Sequence, residues 1–571
     1  MNMKKLLIAA LTAISLVGCS KIEDGPLERI TENYAFDPTD KNGFYAEQFL
    51  NNIYSILPNG YNRIGGDLLD AATDDAMPSQ VGGSIERFTT SSLSALTNPD
   101  DQWAKNYAGI RKVNIFLANI DVVPVPAKIP FWKAEARFLR AMFYFELVKR
   151  YGGVPLVGDA VLDAETPENF KRSSFEACIN YIVSECDAIK NAVRPDPLAA
   201  GDYGRISNGV VLALKARTLL YAASPLYNGG NIGGTAEQKL YQGYASFDNE
   251  RWNKAAQAAQ DLIATGKFKI DGVAYNNVFI VRKNDEVILG YLRNNSSDLE
   301  TNNGPIGYAL ASANGRTSPT QDLVDAFGTI KGLPIATDVK SPTNTTGYDA
   351  ANPYANRDPR LASTVLYNGV AWLSRPLQTY EGGLDKPNKN TTQTKTSYYL
   401  RKHLGNFATA TLYSAQPHNF PIFRYAEVML NYAEAQNEYL ASPDASVYKV
   451  LQDIRKRAGI TAGTTPGYLY GLKSSGMTQA EMREAIRNER RIEMAFEEQR
   501  FWDLRRWKIA ETALNTNLNG MIITRDPATS ALTYQKAVVG KITFANPKMY
   551  FYPIPYSELT KNTNLIQNTG W

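Results

Sequence analysis

The sequence predicts a mainly α-helical fold, a scaffold of helical hairpins interrupted by one large loop-rich insertion that contains short strands. Three observations carry that expectation. Apolar residues recur at helical spacing in a series of segments, most strongly over Phe131–Tyr151. Several segments mix Ala with large aromatics, as in Ala134, Ala136 and Tyr144, Ala213, Ala216 and Tyr221, or Tyr432, Ala433 and Ala435. Small residues facing bulky ones let antiparallel helices approach closely, the logic of tetratricopeptide-type hairpins, although the spacing is not their regular period of about 34. Residues 270–420 break the pattern: they are rich in Asn, Gly, Thr, Tyr and Pro, with short apolar runs such as Val287–Leu292 and no long helix.

Taken in order, the chain opens with Lys4 and Lys5 and a thirteen-residue apolar run from Leu6 to Gly18. That run is shorter than the roughly 20 residues a bilayer span needs, and it suits a secretory signal over residues 1–18. It ends Leu16-Val17-Gly18-Cys19, which resembles a bacterial lipobox and makes Cys19 the expected lipidation site. Residues 19–571 read as a single domain: a helical scaffold over about 40–270 and 420–510, the irregular insertion over about 270–420, and a closing segment over about 511–571. Helices are expected from Phe44 to Leu57, Trp103 to Ile120, Phe131 to Tyr151, Ser173 to Ala192, Asn208 to Ala223, Trp252 to Thr265, Arg424 to Tyr439 and Val447 to Ala458. The third of these stops at Gly152-Gly153-Val154-Pro155, and residues 60–100 read as a long loop region. Cys178 and Cys186 are eight residues apart on one helix, a rise of about 12 Å, so they are expected as two buried, unpaired thiols.

Composition narrows the function. There are 61 Lys+Arg against 57 Asp+Glu, a net charge of only +4, so no strong field favours nucleic acid. Two His and three Cys leave almost nothing for a histidine triad, a zinc site or a thiol relay, and no enzymatic activity is expected. His403 and His418 have no evident partners. In contrast, 33 Tyr, 22 Phe and 7 Trp supply many flat, stackable side chains. From Asn488 to Trp507, arginines and carboxylates interleave, and Arg490–Glu493, Glu497–Arg500 and Asp503–Arg506 stand three apart, so opposite charges are expected to pair along one helix face. This stretch reads as scaffold, with Ile492, Ala495, Phe496 and Trp502 as its packing stripe.

That same stretch, Asn488 to Trp507, closely resembles the signature of the SusD/RagB family, outer-membrane glycan-binding lipoproteins. Four further stretches agree in order: Glu135–Ala141 running into Tyr151-Gly152-Gly153-Val154-Pro155-Leu156; Gly204-Arg205-Ile206-Ser207; Arg424-Tyr425-Ala426-Glu427 with Asn431–Ala435; and a tail with Tyr552-Pro553-Ile554-Pro555, Asn562, Asn564, Asn568 and Gly570. Glu23 and Asp24, just after Cys19, resemble the signal that sends Bacteroidetes lipoproteins to the cell surface. The resemblance implies a non-catalytic surface protein, attached to the outer membrane through its N-terminal lipid alone, that captures glycans and delivers them to a SusC-like TonB-dependent transporter.

Sugars present apolar C–H faces and a rim of hydroxyls, so a site needs aromatic platforms with Asp, Asn or Arg beside them. The resemblance places a shallow site on the N-terminal loops and the insertion. The first offer Asp40, Asn42, Asp67, Asp74 and Asp75; the second offers Tyr308, Trp372, Arg375, Tyr380, Tyr398 and Tyr399. Trp372 with Arg375 is the preferred pair, a stacking surface beside a multi-donor fork. Asp67, Asp74 and Asp75 serve equally well as helix caps or turn residues. Asp70, Asp74 and Asp75 cluster where a structural calcium ion is conceivable, but their spacing departs from the twelve-residue calcium loop, and no cofactor is expected. Two alternatives stand beside glycan capture: a peptide-binding RagB-type uptake lipoprotein, and a glycoside hydrolase, which needs only two carboxylates.

Overall fold

The computed structural model describes residues 34–162, 170–308, 314–388, 392–407 and 409–571; Cys19 and the leader lie outside the described residues. The scaffold is a succession of helices, each packed on the next: α1 (Phe44–Tyr54), α2 (Trp103–Asn119), α3 (Ile129–Tyr151), α4 (Phe175–Ile189), α5 (Asn208–Ala223) and α6 (Glu250–Ile263). The series resumes after the insertion with α8 (Tyr425–Tyr439), α9 (Ala445–Arg457), α10 (Gln479–Glu493) and α11 (Gln499–Arg506), while α7 (Asp298–Asn303) belongs to the insertion. Helix α8 closes the gap by packing on α6, α5, α9 and α10. Mainly helical architecture is therefore what the chain adopts, and each expected helix is present within a few residues of its expected ends.

Local chemistry explains the boundaries. Pro130 sits in the first turn of α3, where its missing N–H costs nothing, and Gly152 ends the helix at φ 76°. An alanine there would set its Cβ 2.2 Å from the Tyr241 carbonyl oxygen. Ser174 caps α4 by accepting the Ala177 N–H, Asp444 caps α9, and Thr478 with Glu481 forms a capping box on α10. Between α5, α6 and α8, Ala223, Ala255, Ala256 and Ala435 pack with Leu220 and Trp252, the small-against-large contact the sequence calls for. Cys178 and Cys186 are both buried and unpaired.

Among the described residues strands pair only in twos, and these pairs include β1 (Ala76–Pro78) with β3 (Thr317–Pro319), β2 (Val287–Leu292) with β6 (Asn419–Arg424), β4 (Ala371–Trp372) with β5 (Arg375–Pro376), and the longer β7 (Thr516–Arg525) with β8 (Leu532–Ile542). The last hairpin lies in the closing segment, where strands were not expected. Its inner residues Met521 and Ile523 pack with Tyr398, Phe496 and Leu323.

The arginine-rich stretch differs most from expectation. Helix α10 stops at Glu493, and Phe496 and Glu498 take left-handed backbone conformations (φ 61° and 59°) before α11 begins. The break turns the charges apart, so of the three expected pairs only Asp503–Arg506 forms, at 2.8 Å. Arg490 instead reaches Asp503 at 2.7 Å, Arg500 reaches Asp74 at 2.7 Å, and Glu497 receives Lys402 at 2.6 Å and Arg424 at 2.7 Å. Glu493 is shared by Arg360 (2.9 Å), Arg424 (2.8 Å) and Arg457. The carboxylates are buried, while Arg457 and Arg500 are partly buried. Burial opposes ionisation of Glu493, but Arg457, Arg424 and Arg360 together hold its carboxyl well below the ordinary range.

Candidate functional site

Helix α7 gathers the N-terminal loops and the insertion. Its buried Glu300 accepts the Gly405 N–H at 2.9 Å and faces His418 Nε2 at 2.7 Å, so His418 has a partner after all. His403 does too: Nδ1 lies 3.1 Å from the Tyr61 hydroxyl and Nε2 2.9 Å from the Phe496 carbonyl oxygen. Burial, with Lys402 adjacent, pushes the His403 pKa down to about 3, which leaves it a neutral packing residue. Tyr61 donates to the Asn419 carbonyl at 2.5 Å, tying the first loop to β6.

Around α7 the polar groups fall into two sets. On one side, Arg293 donates to Asp298 at 2.6 Å, and Asn62 accepts from the Asn303 amide at 2.9 Å. Arg316, just before β3, donates its backbone N–H to the Asn302 carbonyl at 2.9 Å, and its own carbonyl receives the Ser79 N–H at 2.7 Å. The β1–β3 pairing thereby sets Asp67 beside Arg316, with Oδ2 3.9 Å from Nη1. On the other side, Arg375 forks onto Asp385 at 2.8 and 3.0 Å and lies 3.7 Å above the Tyr308 ring. Leu384 and Leu412 are exposed in the same loops.

Most residues singled out from the sequence occupy other roles. Asp40 accepts the backbone N–H groups of Asn42, Gly43 and Tyr45, so it fastens the turn into α1, and the Asn42 carbonyl receives Lys128. Asp74 and Asp75 are ion-paired with Arg500 and Arg491 rather than open to a ligand or calcium, and among the described residues no group of three or more His, Cys, Asp or Glu is placed to hold a metal ion. Asp70 accepts the Phe496 N–H at 3.0 Å; burial and the neighbouring Asp75 and Glu498 carboxylates push it up to about 8. Tyr398 donates to Gln321, and Tyr399 donates to the Asp385 carbonyl; both rings are buried. Tyr380 is half-buried, donates to Gln378 and carries Arg525 above its ring.

The preferred pair needs correction. Trp372 and Arg375 do face each other across the β4–β5 hairpin, but the indole is 1 % exposed, so it offers no open stacking face. Its Nε1 donates to the Tyr413 hydroxyl at 3.3 Å, Phe407 packs edge-on against it, and Arg401 covers it at 5.1 Å. Tyr308 is likewise largely covered, by Arg375. Reading by residue type missed Arg293 and Arg316. The signal for Arg316 is Gly66, across which its side chain lies: φ there is +96°, and a Cβ would come within 2.5 Å of the Arg316 Nε.

A separate cleft of about 520 Å³ opens between α10 and the 468–473 hairpin, lined by Leu333, Ile460, Leu472 and Met477. Its polar floor is self-satisfied, since Glu489 receives both Arg360 and Arg455 at 2.7 Å.

Comparison with known proteins agrees with this architecture. Residues 285–571 match a family model described as the SusD family, and residues 37–218 match one described as starch-binding associating with outer membrane. SusD-like protein P2 of Formosa agariphila is 24 % identical over 576 residues, covering 99 % of each chain. A SusD-like protein of Bacteroides fragilis of known structure is 26 % identical with a TM-score of 0.74, covering 96 % of this chain and 100 % of its own. Another from the same organism, titled a SusD-like carbohydrate binding protein, is 24 % identical with a TM-score of 0.71, covering 92 % of this chain and 99 % of its own. Half the chain by family model, and nearly all of it by fold, point the same way: the protein belongs to the SusD family.

Proposed function

We propose that the protein is a cell-surface lipoprotein, held by a lipid on Cys19, that captures glycans and passes them to a SusC-like TonB-dependent transporter without transforming them. The observation that carries this reading is the match of residues 37–218 to the starch-binding, outer-membrane-associating family, over a segment whose loops meet the insertion at α7. Arg293, Arg316, Asn62 and Asp67 supply the polar groups there, and Arg375 lies over the largely covered Tyr308 ring on the other side of α7. Among the described residues no helix is long and apolar enough to cross a membrane. Isothermal titration against polysaccharide and peptide panels, with an assay for released reducing ends, tests the reading. Binding of at least one glycan without reducing-end release is the expected result. Peptide binding in its place, or reducing sugar released from a bound glycan, overturns it. For the anchor, Cys19→Ser is expected to abolish incorporation of labelled palmitate and release the protein from the membrane fraction.

A further inference from the structure

We propose that Arg316 receives an anionic group, a carboxylate or a sulfate, on the captured glycan, with Asp67 behind it as a positioning residue. This rests on the glycan-capture reading and names its substrate class. The backbone of Arg316 is locked on both sides, by Asn302 and Ser79, and its side chain is laid across Gly66, so the guanidinium is held in place without a side-chain hydrogen bond to any of the described residues. Its one ion-pair contact among the described residues, 3.9 Å to Asp67, is too long for a hydrogen bond. The Nε is buried with no partner, while the side chain keeps 21 % exposure.

The other arginines of these loops are committed. Arg375 is forked on Asp385, and Arg401 donates to the Leu404 carbonyl and to Asn406. Arg293 is bonded to Asp298, yet its Nη1 is buried without a partner. Buried guanidinium nitrogens without a partner therefore stand at both β-strand connections to α7, and the Arg316 side chain keeps part of its surface open. A planar, permanently charged fork matches a carboxylate or sulfate, which supplies acceptors and charge together, better than a neutral hydroxyl, which supplies acceptors alone.

Asp67 is 2 % exposed, and its Oδ1 has no hydrogen-bond partner. Burial pushes its carboxyl up to about 7; Arg316 favours the ionised form and Glu86 opposes it. These are the charged groups that act on it. Below that value Asp67 is neutral and Arg316 is left uncompensated; above it, the carboxylate offsets the guanidinium. Affinity for an anionic glycan therefore falls as pH rises through about 7.

The test is titration of the detergent-solubilised full chain with three hexasaccharide probes, an oligogalacturonate, a heparin-derived sulfated fragment and neutral maltohexaose, at about pH 6 and about pH 8. One anionic probe is expected to bind about tenfold or more tightly than the neutral one, corresponding to about 1.4 kcal/mol. The uronate arm winning assigns a carboxylate; the sulfated arm winning assigns a sulfate. Arg316→Gln should close the gap with its thermal midpoint unchanged, Arg316→Lys should restore part of it, and Asp67→Asn should remove the pH dependence. Neutral binding as tight as both anionic arms, or an Arg316→Gln gap as wide as the wild type's, overturns the inference while leaving glycan capture standing. Binding of no glycan in any arm overturns glycan capture itself.

Discussion

Trp372→Ala tests most directly whether burial has been assigned correctly. The indole is 1 % exposed and enclosed by Phe407, Tyr413 and Arg401, so truncation leaves a cavity in packed structure and orphans the Tyr413 hydroxyl contact. Fully buried Phe or Trp to Ala changes cost about 3–5 kcal/mol. The site is a two-residue-stranded hairpin near the surface, which can collapse partly, so the low end of about 3 kcal/mol is expected. An unfolding entropy of about 2.1 cal/mol/K per residue gives roughly 1.2 kcal/mol/K for the 571-residue chain, and a midpoint lowered by about 2–3 °C. Differential scanning calorimetry reads that shift, and Trp372→Phe should recover most of it. An unchanged midpoint combined with lost glycan binding would show that the ring is an open platform, and the reasoning from its burial would be wrong.

The remaining predictions concern the acids and the glycine that shape the same region. Asp70→Asn should raise the thermal midpoint at pH 8 but not at pH 4. The folded pKa, pushed up to about 8, lies above the ordinary value of 3.8, so the cost of ionising the buried group grows as pH rises between those values. A wild-type midpoint that rises over that interval relative to the variant would contradict the sign. Arg424→Ala removes the counter-charge shared by Glu286, Glu493 and Glu497, and loss of one partner from buried pairs costs about 3–5 kcal/mol. Urea unfolding should show a matching drop in the transition midpoint, or no soluble protein should be recovered. Gly66→Ala places a Cβ 2.5 Å from the Arg316 Nε at a φ of +96°; it should weaken glycan binding while lowering stability by about 1 kcal/mol, as titration and calorimetry on one sample would show.

What the sequence makes legible is what local chemistry decides. Helix α3 announces itself through periodicity, a first-turn proline and a terminating Gly152. The break inside the arginine-rich stretch is illegible, because Phe496 and Glu498 adopt left-handed conformations that nothing about their types requires. Likewise Leu373 and Ser374 turn the β4–β5 hairpin at φ 45° and 61° with no glycine or asparagine to signal it. The burial of Trp372 depends on Phe407 and Tyr413, far along the chain, so residue type alone suggested a sugar platform where the fold makes a core. Tyr308 and Arg375 were both picked from the sequence and do meet, but as each other's partners. Arg316 escaped notice because its meaning comes from Gly66, about 250 residues earlier.

The carboxylates at the end of α10 have a consequence for how such chains can change. Glu493 and Glu497 grip Arg360 and Lys402, both of which belong to the insertion, and Arg424, where the chain returns to the scaffold. The loops of the insertion are thus riveted to the frame from beneath, at a few charged points remote from their tips. Tips can be rewritten, lengthened or exchanged between relatives while the rivets keep the frame in register. A chimera that transplants 371–388 but keeps Arg360, Lys402 and Arg424 should fold; one that keeps the tips and loses the rivets should not.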